Sequence, residues 1–214
     1  MLCNVLCTGF CTRQHAVNFA AVIDELGGKV DGRLPGYDVR IIDGNHLAGT
    51  EHRILELRKL GAAALPGQSI PILDPQRQLI EDVVACEDGH SHERVLLPQL
   101  LEKVLSRQCW IGDRAYCTKM FLFGIADRKA YFVIRQHGSL TGRLIGRRRK
   151  IGRCESGMVY EQKIEITNED GTTKTFRPVT IERDTPTKKG EMQVHILTNL
   201  PRPTFATICD YAQS

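Results

Sequence analysis

Two aspartates stand where side chains could do chemistry. Asp43 follows the apolar pair Ile41-Ile42, and Asp113 follows Trp110-Ile111-Gly112. Each closes a short apolar run that reads as a buried strand. At strand ends a side chain reaches solvent from a rigid base, which is where ligands and reacting groups collect in α/β sheets. The two lie 70 residues apart, so only the fold can bring them together. Carboxylates held close repel unless a cation lies between them. Hard oxygen ligands of this kind select Mg²⁺ or Mn²⁺. Paired divalent ions ~3.5–4 Å apart activate a nucleophilic oxygen and stabilise the leaving oxygen of a phosphodiester. The plainer reading is that an aspartate before glycine or arginine is a turn residue or a surface ion pair.

A second concentration of chemistry is basic. Arg143, Arg147, Arg148, Arg149, Lys150 and Arg153 follow one another with no acidic residue among them. Such a run neutralises phosphates, although a solvated loop has the same composition. The net charge of +4 permits a nucleic-acid partner without demonstrating one. The eight cysteines are scattered. Cys3, Cys7 and Cys11 recur every four residues, as small apolar side chains on one helix face do. Cys86, His90 and His92 are neighbours in sequence but lack the paired C-x-x-C spacing of a zinc site. His46 reads as a local hydrogen-bonding residue, and Trp110 as core.

The elements that must position these groups follow from periodicity. Val17, Ala20, Ala21, Ile23 and Leu26 form a helical stripe closed by Gly27-Gly28. Tyr37, Val39 and Ile41 alternate with polar residues in a strand that ends at Asp43-Gly44. Residues 51–60 read as a short charged helix. Residues 69–73 and 79–86 make a hairpin about Asp74-Pro75-Gln76-Arg77. Residues 94–105 read as a helix with Leu97, Leu101 and Leu105 stacked, and Pro98 tolerable only in its first turn. Residues 109–112 are a strand, Thr118 caps a helix reaching Ala126, and 131–135 form another strand. Beyond the basic run, 152–198 read as a three-stranded meander, with Asp170-Gly171 at one turn. This order indicates an α/β fold, a mixed sheet flanked by helices. Hydrophobic residues make up 42%, enough to bury a core. No run of about 18 apolar residues occurs, so no membrane span is expected. The first residues lack a basic n-region, so a soluble cytoplasmic protein is expected.

The segment Asp43-Gly44-Asn45-His46-Leu47, followed by Thr50-Glu51-His52-Arg53, resembles the first-aspartate motif of DDE transposases of the insertion sequence 4 type. The segment Trp110-Ile111-Gly112-Asp113-Arg114-Ala115-Tyr116-Cys117-Thr118 resembles their second-aspartate motif. Residues 132–137 and 197–201 fall where that family has such segments. The resemblance spans about residues 37–201. It implies a ribonuclease-H-like fold with a β-meander insertion between the second aspartate and a final glutamate. Asp43 and Asp113 would hold Mg²⁺ or Mn²⁺ and carry catalysis. Element ends in double-stranded DNA would be cut with water, and the freed 3′ hydroxyl would attack target DNA. Arg114 and Tyr116, which flank the metal site, and Arg147, Arg148, Arg149 and Lys150 are the candidate DNA contacts. A homodimer on DNA and a bacterial, nucleoid-associated location suit this reading.

The expected organisation is an N-terminal helical segment over 1–36, an incomplete core over 37–151, a β-rich insertion over 152–200 and a tail over 201–214. The family's glutamate lies in a helix of pattern Tyr-x₂-Arg-x₃-Glu-x₆-Lys. No tyrosine of this chain begins that pattern, and the sequence ends 13 residues after Pro201. Glu155, Glu161, Glu165, Glu169, Glu182 and Glu191 lie in or beside the meander and are not expected to substitute. The chain is therefore expected to lack its third acidic residue and not to transpose DNA by itself. The alternative is a catalytically dead remnant that at most binds DNA or a full-length partner. An unrelated metal-dependent nuclease is a weaker reading, because Asp-Arg-Ala-Tyr is transposase-like.

Overall fold

A computed structural model describes residues 34, 36–46, 68–86, 93–187 and 190–201. The helices expected over 17–26 and 51–60, Cys3, Cys7, Cys11, His90, His92 and the tail beyond 201 lie outside the described residues, as do the side chains of His46 and Cys86. The strands are β1 (Asp38–Ile42), β2 (Asn45–His46), β3 (Gln68–Asp74), β4 (Leu79–Cys86), β5 (Gln108–Gly112), β6 (Tyr131–Arg135), β7 (Arg143–Cys154), β8 (Gly157–Thr167), β9 (Thr173–Arg183) and β10 (Gln193–Thr198). Two helices, α1 (Leu97–Glu102) and α2 (Lys119–Asp127), complete the described elements, with short 3-10 turns at Glu93–Leu96 and Arg114–Tyr116.

The strands form one mixed sheet in the order β3-β1-β5-β6-β10-β9-β8-β7, with β4 on the far side of β3. β1 runs antiparallel to β3 and parallel to β5, and β5 runs parallel to β6. That block, with both β-α-β crossovers, is the ribonuclease-H-like core. β2 continues the edge of β1 along β3, with Asn45 opposite Ser69. The break between them is Asp43-Gly44, and the register carries Pro71, which has no N–H to donate, opposite Asp43.

Strand alternation sorts the core into two layers. On one face Ile42, Ile70, Trp110, Phe132 and Ile134 pack under Leu97, Leu100, Phe121, Leu122 and Ile125 of the two helices. Each such side chain removed from water contributes roughly 1.5–3 kcal/mol. On the other face Val39, Cys109, Ile111, Val133, Val194 and Ile196 continue into Val159, Val179 and Ile181 of the meander. Thr118 caps α2 by accepting from the Phe121 N–H at 3.3 Å, and Pro98 sits in the first turn of α1. α1 is shorter than its leucine spacing predicts. It stops at Glu102, the chain reverses with Arg107 at φ 69°, and Leu105 is left exposed. Among the described residues no helix is long and apolar enough to cross a membrane.

The meander departs from expectation in two ways. The basic run is itself a strand, β7, so the meander has four strands and begins at Arg143. It is also continuous with the core sheet. β10 pairs antiparallel with β6, Ile196 opposite Arg135. Asn199 accepts from the Phe132 N–H at 2.8 Å and donates to the Ala130 carbonyl at 2.9 Å, while Thr198 donates to the Phe132 carbonyl at 2.6 Å. The Thr198-Asn199 pair thus supplies the partners that β6 lacks at its start.

Candidate active site

The two aspartates arrive at the same level because β1 and β5 are parallel and in register, Asp38 opposite Gln108 and Ile41 opposite Ile111. Two residues further on come Asp43 and Asp113, on neighbouring strands spaced ~4.8 Å apart. Their parity is that of Ile41 and Ile111, so they leave the sheet on the face opposite the helices. There they line one cleft of about 410 Å³ with Ile41, Ile111, Val133, Ile196 and Arg135. Asp113 also serves its turn, since Oδ1 accepts from the Ala115 N–H at 2.8 Å. The ordinary turn role is therefore real for one of its oxygens. Partial burial, and then the nearby Asp113 charge, hold the Asp43 carboxyl above its usual range, against a lowering by the Gly44 N–H.

Two further groups pack against the glycines beside the aspartates, on the helix side of the sheet. Glu93, in the turn before α1, lays its carboxylate directly on Gly44. A Cβ added at residue 44 would stand 1.9 Å from Glu93 Oε1. Burial first, then Asp113 and Asp43, raise the Glu93 carboxyl. Tyr116 is fully buried, its ring against Gly112, where an added Cβ would meet Cδ2 at 2.9 Å. Its hydroxyl is buried without a hydrogen-bond partner. Burial pushes that hydroxyl upward, followed by the charges of Glu93, Asp113 and Asp43. Tyr116 thus offers no surface to DNA, which corrects its expected place among the contacts: the 3-10 turn after Asp113 folds the ring into the core. Among the described residues no three His, Cys, Asp or Glu side chains stand preassembled around one metal position.

Arg114 is half-exposed and bonded to Glu191, Nη2 to Oε1 at 2.6 Å. The other Glu191 oxygen accepts from Arg135. The loop between β9 and β10 thus folds back over the strand ends, closer to the aspartates than its place in the meander suggested. Arg114, Arg135 and Glu191 also line a basin of about 470 Å³ with Arg148, Tyr160, His137 and His195.

The basic strand does not present its charges together. Arg148 lies over the Tyr160 ring, 3.9 Å from its centroid, and pairs with Glu182 at 2.8 Å. Arg147 and Arg149 line a different cleft, with Lys163 and Arg177. Gly146, at φ 69°, sits in the register shift between Ile145 and Arg149. Arg143 pairs with Glu165, Arg153 with Asp184, and Arg149 approaches Glu161 at 3.9 Å. Among the described residues Arg147 and Lys150 have no carboxylate partner. Sequence reasoning missed Glu93 and Arg135. Nothing local marks Glu93, since a glutamate in a first helical turn is ordinary. Arg135 lies within residues 132–137, at the end of β6 and one residue past the pairing of Ile134 with Gly112.

A family model described as transposase DDE domain matches residues 34–192, about three quarters of the chain. A search of curated proteins finds no match.

Proposed function

The chain belongs to the transposase DDE domain family, and from that premise we propose that it carries out metal-dependent cutting of transposon ends in double-stranded DNA and strand transfer to a target. The parallel register of β1 and β5, which brings Asp43 and Asp113 to one level, is the observation that supports this reading most. The donor types suit a hard divalent cation: Asp43 and Asp113 offer carboxylate oxygens to one cleft, and among the described residues neither aspartate has a cationic partner. Mg²⁺ or Mn²⁺ held there would supply charge to activate the attacking oxygen and stabilise the leaving one.

The chain's own residues have separable tasks. Asp43 and Asp113 hold the ions from rigid strand ends. The Ala115 N–H fixes one Asp113 oxygen and leaves the other for coordination. The apolar wall of Ile41, Ile111 and Val133 excludes water from one side of the cleft. Arg114 and Arg135, now shared by Glu191, can turn to a phosphate at modest cost, because half-exposed ion pairs contribute about 0–1 kcal/mol. Arg147 and Lys150 extend the DNA path along β7, with Arg148 and Arg149 released to phosphate in exchange for their carboxylates. Membership of the insertion sequence 4 subtype, a homodimer on DNA and a bacterial cytoplasmic location are parts of the same proposal.

The experiment is a Mn²⁺ titration of the 214-residue chain, read by the loss of the free-Mn²⁺ spin-resonance signal. The parent is expected to take up Mn²⁺. Asp43→Asn and Asp113→Asn should each weaken uptake on the order of 10-fold or more, the loss seen when even a supporting partner of a ligand is removed. Uptake that is absent in the parent, or unchanged in both variants, would overturn the reading.

A further inference from the structure

We propose that the Glu191 carboxylate is a resident stand-in for a DNA phosphate: it occupies the space between Arg114 and Arg135 beside the two aspartates, and DNA must displace it to seat there. The inference rests on the functional reading above and concerns how that site is regulated. Three observations carry it. First, each carboxylate oxygen takes one cation. Glu191 Oε1 accepts from Arg114 Nη2 at 2.6 Å, and Oε2 accepts from Arg135 Nη2. Two guanidiniums can take up the two non-bridging oxygens of a phosphodiester in the same way. Second, both cations stand at the aspartates. Arg114 directly follows Asp113, and Arg135 lines both the cleft of Asp43 and Asp113 and the neighbouring basin that holds Glu191. Among the described residues neither arginine has another carboxylate partner. Third, the backbone around Glu191 is tied into a tight turn. The Thr187 N–H donates to the Glu191 carbonyl at 3.0 Å, the Glu191 N–H to Thr187 Oγ1 at 3.1 Å and the Gly190 N–H to the Thr187 carbonyl at 2.8 Å. Gly190 makes the turn at φ 79°, where a side chain would be strained. Thr187 itself lines the aspartate cleft, so the same turn borders both cavities.

Electrostatics give this occupancy a consequence. A phosphate that approaches the cleft before any metal is bound is repelled by Asp43 and Asp113 and attracted by Arg114 and Arg135. Glu191 cancels part of that attraction until it is displaced. Both ion pairs are partly exposed, so they exchange without any movement of the sheet. A small anion gains only the two arginines in exchange, whereas a duplex adds phosphate contacts elsewhere on the surface, so displacement favours DNA. In a purely structural alternative Glu191 only fastens the loop between β9 and β10 to the core.

Glu191→Gln separates these readings, since glutamine keeps the backbone bonds to Thr187 and removes the charge. Binding of a short mixed-sequence duplex to the 214-residue chain is followed by fluorescence anisotropy, in chelator, across a salt series. On this proposal Glu191→Gln binds roughly 3- to 10-fold more tightly than the parent at low salt. The advantage should shrink as salt rises, because screening weakens the Arg–Glu pairs of the parent. Asp127→Asn removes the same charge from the Lys174 pair and should stay within about twofold of the parent. With Arg114 and Arg135 both replaced by Gln, adding Glu191→Gln should gain less than about twofold, because the groups it competes for are gone. Unchanged or weaker binding in Glu191→Gln would overturn the stand-in and leave the two-aspartate reading standing. A gain matched by Asp127→Asn, or kept without the two arginines, would do the same. No DNA binding by the parent or by Glu191→Gln would overturn both.

Discussion

Two regions of this protein concentrate charge of one sign, and they treat it in opposite ways. At the ends of β1 and β5, Asp43 and Asp113 line one cleft with no cationic partner among the described residues, and partial burial, then the nearby Asp113 charge, raises the Asp43 carboxyl. Along β7, Arg143, Arg148 and Arg153 each hold a carboxylate of a neighbouring strand or turn. β7 is also the exposed edge of the sheet, where arginine and lysine discourage edge-to-edge pairing with another chain. The difference teaches that a charged run does not by itself mark a site. Charge left unneutralised by the fold stores repulsion that a ligand can relieve, whereas charge neutralised on the spot contributes to shape and solubility.

The contrast is broken most directly at the carboxylates. With Mn²⁺, the chain is expected to nick plasmid DNA, and Asp113→Ala should lower that rate on the order of 10²-fold or more, the scale of a misplaced reacting group. Equal rates in parent and variant, or none in either, would restore the remnant that only binds DNA. The basic edge should answer next. Replacing Arg147 and Lys150 together with Ala should flatten log affinity against log salt by roughly 2 units, one per phosphate contact. Arg148→Ala should change the slope by less than about one unit, since Glu182 and Tyr160 already hold its guanidinium. Equal slopes for all three variants would erase the distinction between paired and unpaired arginines.

Stability should move in opposite directions in the two regions. In chelator, Asp113→Asn keeps an acceptor for the Ala115 N–H and removes a like charge, worth about 1 kcal/mol at close range in a watery setting. A rise in melting temperature of roughly 2–4 °C is expected for a chain of this size. Glu182→Gln should instead lower stability by about 0.2–1 kcal/mol. A fall in both would show the carboxylates to be structural. The smallest effect concerns His195, which accepts from or donates to Thr180 at 3.0 Å. Burial and then Arg148 lower its pKa, against a raising by Glu191. The neutral ring is therefore favoured in the fold. Its contribution is complete above the ordinary histidine pKa near 6.5 and is lost as pH falls below it. Melts from pH 8 to 5 should decline less in His195→Gln than in the parent, and identical declines would remove His195 as a cause.

Much of this was legible from residues. The apolar runs ending at Asp43 and Asp113, the Thr118 cap, the hairpin at Asp74-Pro75 and Pro98 in a first turn are local events, decided by backbone geometry and side-chain period within a few residues. The family match over 34–192 agrees with a resemblance carried by motifs around the two aspartates. What stayed illegible was long-range. β7 reads as a loop because its residues are basic and polar, and only an edge position makes such a strand tolerable. Tyr116 reads as a surface neighbour of a metal site, yet the turn that Asp113 caps sends its ring inward.

By itself the sequence determined the order of strands and helices, the two aspartates at strand ends and the family, because each depends on interactions across a few residues. Tertiary structure alone decided that the meander is welded to the core through β10, that the arginines of β7 divide between two clefts, and that the Glu93 carboxylate stands against Gly44. Those outcomes depend on register between strands distant in sequence and on the space a missing Cβ leaves at Gly44, and neither quantity is encoded in any one segment.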